Sequence, residues 1–192
     1  LGVPVGGADL SSLERAAGGG SAIPVAIANT YVEKFGLPVL EVYGMTETAG
    51  VIASNPFPHG VRKPGSVGLA AGPAIAIVDG AGAAVPTGTR GEVVVKGDNV
   101  MRGYAGGEEA NAAARYGEWF RTGDEGCLDG DGYLFLTGRI KEIINRGGEK
   151  ISPPEVDDVL LSHPAVAEAA TFALPHPTLG EDVAAAVVLK PG

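Results

Sequence analysis

Apolar residues recur near helical spacing at Val25, Ile27, Ala28, Tyr31, Val32 and Phe35, opened by Pro24 and stopped by Gly36. That period predicts an amphipathic helix. The run Val39-Leu40-Glu41-Val42-Tyr43 is short and rich in β-forming side chains, which predicts a buried strand followed by a loop from Gly44. A helix leading into a buried strand is one unit of an α/β layer. Between Pro56 and Thr137 the pattern shortens to strands such as Ala74-Ile75-Ala76-Ile77-Val78 and Glu92-Val93-Val94-Val95. Turn signals at Asp79-Gly80 and Asp129-Gly130-Asp131-Gly132 separate them, so this stretch predicts a small β-rich subdomain.

After Arg139 the pattern changes again. Ser152-Pro153-Pro154-Glu155 predicts a capping box with proline at the first helical position: the Ser152 hydroxyl accepts from the Glu155 amide and Glu155 reaches back. Val156, Val159 and Leu160 are its expected buried stripe, and His163-Pro164 ends the helix. Residues 169–174 and 184–189 read as strands, completing an α+β module. The fold class is therefore α/β: the end of an α/β layer, a β-rich subdomain, and the start of a small α+β domain. Opening at Leu1 and closing directly after a strand-like run, the sequence reads as an excerpt of a longer protein.

Composition narrows the function classes. With 45% hydrophobic residues in 192, the chain can bury a core. Fourteen basic against 23 acidic residues, a net charge of −9, argue against nucleic acid or an anionic membrane as partner. No run of 18 apolar residues is present, so no membrane span is expected. The single cysteine, Cys127, excludes an intrachain disulfide and suits a reducing, cytoplasmic setting. The 31 glycines follow no fixed period, which excludes collagen-like and solenoid readings.

The candidate chemistry lies in four places. Residues 137–153 interleave charges with Gly138, Gly147 and Gly148, as a hinge with a ligand-facing loop would. Tyr43-Gly44-Met45-Thr46-Glu47-Thr48 puts a ring, a hydroxyl and a carboxylate at a strand's carboxyl end, where open α/β sheets bind ligands. Such a set can stack a flat ring, bond a phosphate oxygen and hold Mg²⁺, or it is a polar turn. Gly18-Gly19-Gly20-Ser21-Ala22 is either a plain loop or a cradle of bare amides. Trp119-Phe120 buries two aromatics ahead of Asp124, which either caps a turn or accepts from two neighbouring hydroxyls, as on a ribose. Asp129 to Gly132 lacks the ligand spacing of a calcium loop and reads as a hairpin turn.

Together these segments resemble the adenylate-forming superfamily, specifically the acyl-CoA synthetases. The landmarks run in the family's order: Gly18 to Ile23; Tyr43-Gly44-Met45-Thr46-Glu47; Lys63-Pro64-Gly65-Ser66-Val67-Gly68; Gly91-Glu92; Asn99-Val100-Met101-Arg102-Gly103-Tyr104; Arg121-Thr122-Gly123-Asp124; and the hinge. The resemblance covers essentially the whole chain. It implies residues 1–138 as the C-terminal part of a large AMP-binding domain and 139–192 as the N-terminal part of a small mobile domain, hinged near Lys141. It implies an ATP-dependent acid–CoA ligase with ATP/AMP, Mg²⁺ and coenzyme A, acting on a small carboxylic acid.

Residue by residue, the resemblance puts Gly20, Ser21 and Ala22 along the adenine, Tyr43 stacking on its face, and the backbone near Glu41 and Val42 beside it. Thr46 meets the α-phosphate, Glu47 ligates Mg²⁺ and Asp124 holds the ribose hydroxyls. Arg139 reaches ribose or phosphate, Lys141 is the pivot, and Gly147 and Gly148 border the pantetheine tunnel. The family's phosphate loop would precede Gly18 and its distal lysine would follow Gly192, so the 192 residues alone are expected to bind AMP weakly and not to adenylate efficiently. Met45, Val51 and Ala53 to Pro56 are expected by the acyl pocket. Arg62 either favours a second negative charge on the acid, with short dicarboxylates such as oxalate preferred, or is a solvated loop cation. An adenylation domain loading a carrier protein and a noncatalytic nucleotide-binding module are the competing functions.

Overall fold

The computed structural model describes residues 9, 11–20, 23, 25–56 and 60–191. It is strand-rich, with three sheets and three α-helices among the described residues. The first sheet has the order β1-β2-β3-β4, from Ala16–Gly19 (β1), Val39–Tyr43 (β2), Ala53–Ser54 (β3) and Leu69–Ala70 (β4). The helix α1, Val25–Phe35, connects β1 to β2, which lie parallel, so the predicted helix–strand unit is a βαβ crossover. The glycine-rich run is thus partly strand: Gly18 and Gly19 pair with Glu41 and Val42.

The second sheet holds Ala74–Val78 (β5), Gly91–Lys96 (β6), Arg115–Tyr116 (β7), Trp119–Leu128 (β8) and Leu134–Arg139 (β9), all in antiparallel pairs. A short helix, α2 (Glu108–Ala113), precedes β7. Along β8, Phe120, Thr122, Asp124 and Gly126 face inward by the period of two, while Trp119 is only half-buried, so one of the two aromatics anchors the core. Hydrogen bonds between Val67, Gly68 and Leu134 tie the first sheet to the second. One core spans both, built on Tyr43, Ile52, Ala53, Val93, Phe120 and Leu134.

The chain leaves β9 at Arg139, passes an exposed turn at 140–142, and enters the third sheet, whose order is β11-β10-β13-β12. Its strands are Ile144–Arg146 (β10), Glu149–Ile151 (β11), Val166–His176 (β12) and Gly180–Leu189 (β13). The helix α3, Pro153–Leu161, packs on β12 and touches β9 and α1.

Ser152 caps α3 as expected, accepting from the Glu155 amide at 3.4 Å, but its hydroxyl also donates to the Thr137 carbonyl of β9. The reciprocal half of the capping box is replaced: the Glu155 carboxylate pairs with Arg90 at 2.6 Å. An ionic partner outbids a neutral amide for that carboxylate. The expected stripe holds at Val156 and Leu160, both half-buried, and fails at Val159. Val159 is 70% exposed, and the packed face runs through Pro153, Val156, Asp157, Leu160 and Leu161. Asp157 holds that face by accepting from the Thr171 hydroxyl of β12 at 2.6 Å. Among the described residues no helix is long and apolar enough to cross a membrane.

Candidate functional site

Strand β2 delivers Tyr43 to the carboxyl end of the first sheet with its ring in the core. Its hydroxyl donates to Asp124 Oδ2 at 2.5 Å, and Arg139 Nε meets Oδ1 at 2.9 Å. Tyr43 from β2 and Arg139 from β9 therefore converge on the one buried carboxylate of Asp124 in β8. Thr122 supports it, donating to the Val93 carbonyl at 2.8 Å and accepting the Asp124 amide at 3.1 Å. Burial raises the Asp124 carboxyl above the usual carboxylate range, while the Tyr43 hydroxyl and the Arg139 charge pull it back. Burial also raises the Tyr43 phenol, reinforced by the adjacent Asp124 charge, so the phenol stays a donor.

The chain turns at once after β2. Thr46–Thr48 forms a short 3-10 turn, closed by the Thr48 hydroxyl, which donates to the Met45 carbonyl at 3.0 Å. Thr46 is exposed, and Glu47 is half-buried with Oε1 accepting from the Tyr104 hydroxyl at 2.9 Å. Residues 99–104 brace this turn: Asn99 donates to the Thr48 carbonyl at 2.9 Å, and the Met101 amide to the Glu47 carbonyl at 2.8 Å. The bond to Glu47 raises the Tyr104 phenol. Tyr104 and Thr122 bond to Glu47 and to the Asp124 backbone in ways the motif spacing did not reveal, although both stand inside the quoted landmarks.

Glu41 and Val42 pair with Gly18 and Gly19 through their backbone, and the Glu41 carbonyl also accepts from the Asn55 amide at 3.1 Å. Gly20 follows β1 in the left-handed region at φ +91°. Ser21 and Ala22 lie outside the described residues. Of the expected acyl-pocket residues, Ala53 is fully buried in the core, Asn55 is buried with its amide donating to the Ser66 carbonyl at 2.6 Å, and Val51 is exposed. Arg62 is exposed, while its neighbour Lys63 is held by Asp129 and, at 2.7 Å, by Asp131.

Lys141 stands exposed in the turn after β9, where the Ile140 amide donates to the Gly123 carbonyl at 2.9 Å. A cavity of about 290 Å³ opens here, lined by Glu92, Arg121, Gly123, Arg139, Lys141 and Glu142 among others. Gly147 and Gly148 form the β10–β11 turn with φ of +61° and +99°. Their amides bond within the third sheet, to the Leu179 carbonyl at 2.9 Å and to Asn145 Oδ1 at 3.0 Å. The structure thus gathers Tyr43, Asp124 and Arg139 directly, and holds Gly147 and Gly148 on a separate hairpin.

A βαβ unit with an aromatic and a hydroxyl-bearing turn at its strand end, a second sheet supplying the carboxylate, and an exposed turn leading to a third sheet define the architecture of the adenylate-forming class. The chain belongs to the AMP-binding enzyme family, whose model matches residues 4–105, with the AMP-binding enzyme C-terminal domain matching residues 155–192. It is 55% identical over 161 residues to a probable CoA ligase of Humulus lupulus, covering 83% of this chain and 31% of the relative. An oxalate–CoA ligase of Arabidopsis thaliana is 50% identical over 161 residues with the same coverages, 83% and 31%. The chain therefore spans about a third of the length of these relatives.

Among solved structures, ATP-bound MatB from Rhodopseudomonas palustris superimposes with a TM-score of 0.85 at 36% identity, covering 91% of this chain and 35% of that one. The apo form of the same protein gives 0.73, covering 93% and 36%. The arrangement seen here is nearer to the ATP-bound form.

Proposed function

We propose that this chain is part of an AMP-forming acid–CoA ligase, which activates a small carboxylic acid as its acyl-adenylate and transfers it to coenzyme A. The observation that carries the reading is the meeting of Tyr43, Asp124 and Arg139 beside the Thr46–Thr48 turn. In this assignment Tyr43 stacks on adenine, Gly20, Ser21 and Ala22 line it, and the strand backbone at Glu41 and Val42 flanks it. Asp124 accepts the ribose hydroxyls, Arg139 reaches ribose or phosphate, and Thr46 bonds the α-phosphate.

The acid's carboxylate oxygen attacks the α-phosphorus, the bond to the bridging oxygen breaks, and pyrophosphate leaves with the electron pair. The chain's contribution is to fix the nucleotide and set donors against the charge that develops on phosphate. Glu47 fits Mg²⁺: Oε1 is taken by Tyr104, and its other oxygen has no partner among the described residues. One carboxylate beside nucleotide phosphates is the donor set magnesium prefers, and the ion would supply charge neutralisation there. In the second step the CoA thiol gives up its proton, sulfur attacks the acyl carbonyl, and AMP leaves. The domain boundary is assigned at 138/139 with Lys141 as pivot, and rotation brings the Gly147-Gly148 turn to the adenylate, where absent side chains admit the pantetheine arm. Cys127 is free, and a cytoplasmic location is part of the proposal.

The test is ATP-pyrophosphate exchange by the full-length gene product over a panel of carboxylic acids, oxalate included, followed by CoA thioester detection. Acid-dependent exchange with thioester formation is expected. Exchange without thioester would indicate another acceptor, and no exchange with any acid would overturn the reading.

A further inference from the structure

The Tyr43–Asp124 bond has a consequence that depends on the nucleotide assignment above. A carboxylate has about four acceptor sites, two on each oxygen. Here the Tyr43 hydroxyl takes one on Oδ2 and Arg139 Nε one on Oδ1, which leaves one site on each oxygen. Two remaining sites on the two oxygens of one rigid carboxylate match the two hydroxyls of a vicinal diol. Nothing else described would hold Oδ2 in place: the side chain of Asp124 is 8% exposed, and the Thr122 hydroxyl bonds its amide, not its carboxylate. Without the phenol, the carboxylate is free to turn about its last torsion and to swing both oxygens toward Arg139.

We propose that the Tyr43 hydroxyl, as distinct from its ring, is a positioning group that orients Asp124 for both hydroxyls of the nucleotide ribose. A second effect runs the same way. Burial raises the Asp124 carboxyl, the facing carboxylates Glu142 and Glu92 raise it further, and the Tyr43 hydroxyl and Arg139 oppose them. Removing the hydroxyl therefore moves protonation of Asp124 to higher pH. A protonated Asp124 has lost acceptor capacity toward the diol, so nucleotide affinity falls as pH drops through that transition.

Tyr43→Phe keeps the ring and removes only the donor. In the full-length enzyme, the KM for ATP should rise about tenfold with kcat within about twofold, as expected for loss of a hydrogen bond to a charged group. The acid limb of kcat/KM for ATP should move upward in pH. Discrimination between ATP and its 2′-deoxy and 3′-deoxy analogues should shrink, because a loose carboxylate no longer rewards both hydroxyls. Asp124→Asn should abolish the pH limb and the discrimination, and Tyr43→Phe added to it should change neither further.

Wild-type deoxy discrimination retained in Tyr43→Phe, with an unmoved acid limb and an unchanged melting temperature, would overturn the inference while leaving the nucleotide assignment standing. An Asp124→Asn enzyme with wild-type KM for ATP would overturn the assignment itself.

Discussion

Arg121 holds the buried carboxylate of Glu92 at two points, Nη2 to Oε2 at 2.9 Å and Nε to Oε1 at 3.1 Å, across adjacent strands β8 and β6. The same guanidinium lies 4.4 Å from the Tyr116 ring centre and donates to the Ala113 carbonyl at 3.1 Å. Glu92 has little access to water, and Arg121 is the cation bonded to its carboxylate. Arg121→Ala should cost about 3 kcal/mol, the lower end for a broken buried pair because Arg121 itself is partly solvated. Glu92→Gln should cost about 1 kcal/mol, since the amide still accepts one bond. Adding Glu92→Gln to Arg121→Ala should recover part of the loss in urea unfolding, and a double variant worse than Arg121→Ala would refute this account.

Two glycines of the Lys63 to Gly68 segment separate backbone conformation from steric contact. Gly68 has φ +94°, and an added Cβ would sit 2.0 Å from the Ser54 carbonyl carbon. Gly65 has φ +78° with nothing within 4 Å of that position. Gly65→Ala therefore pays only for the left-handed conformation, about 1 kcal/mol. Gly68→Ala must also push the backbone of β3 away from β4 and should cost at least about 3 kcal/mol. Thermal melts of the two variants give the comparison, and equal losses would show that β3 yields freely.

The helix α1 was legible because its apolar positions recur near 3.6 residues, the strand β2 because its short run is rich in β-forming side chains, and the hairpin turns because Asp-Gly pairs mark them. Strand β1 was not, because Ala16–Gly19 carries no side chains large enough to alternate. The face of α3 was misjudged at Val159 since its stripe is decided by Asp157 bonding to Thr171, a polar contact that hydrophobic spacing ignores. The residue types of the site could be read from its motifs. Their bonds could not: Tyr43 and Asp124 are 81 positions apart, and Glu47 and Tyr104 are 57 apart. Only the pairing of β6, β8 and β9 and their junction with the first sheet close those distances.

Glu41 gives a pH-dependent stability test. Burial, and secondarily the Asp158 charge on α3, raises its carboxyl above 4.5. The native state then binds more protons than the unfolded chain between 4.5 and the raised folded value, so this group's contribution weakens as pH rises through that window. Glu41→Gln removes the charge and should melt higher than the wild type near neutral pH. The difference should shrink toward zero below about pH 4, where the carboxyl is protonated in both states. Calorimetry across pH checks it, and a difference independent of pH would sink the assignment.

Tyr104 tests the metal half of the proposed function without touching the nucleotide's own contacts. Its hydroxyl donates to Glu47 Oε1, and its raised phenol keeps that donor protonated at neutral pH. With Oε1 tethered, the other oxygen of Glu47 is presented in one direction, which is what a metal-binding carboxylate needs from its outer partner. Tyr104→Phe should therefore raise the Mg²⁺ concentration for half-maximal ATP-pyrophosphate exchange by about tenfold. The KM for the acid should hold, because the lesion lies on the phosphate side. Glu47→Gln should have the larger effect and make the added Tyr104→Phe silent. If Tyr104→Phe lowers the melting temperature but leaves the Mg²⁺ dependence unchanged, Tyr104 merely braces the Thr46–Thr48 turn and Glu47 does not depend on it for its orientation.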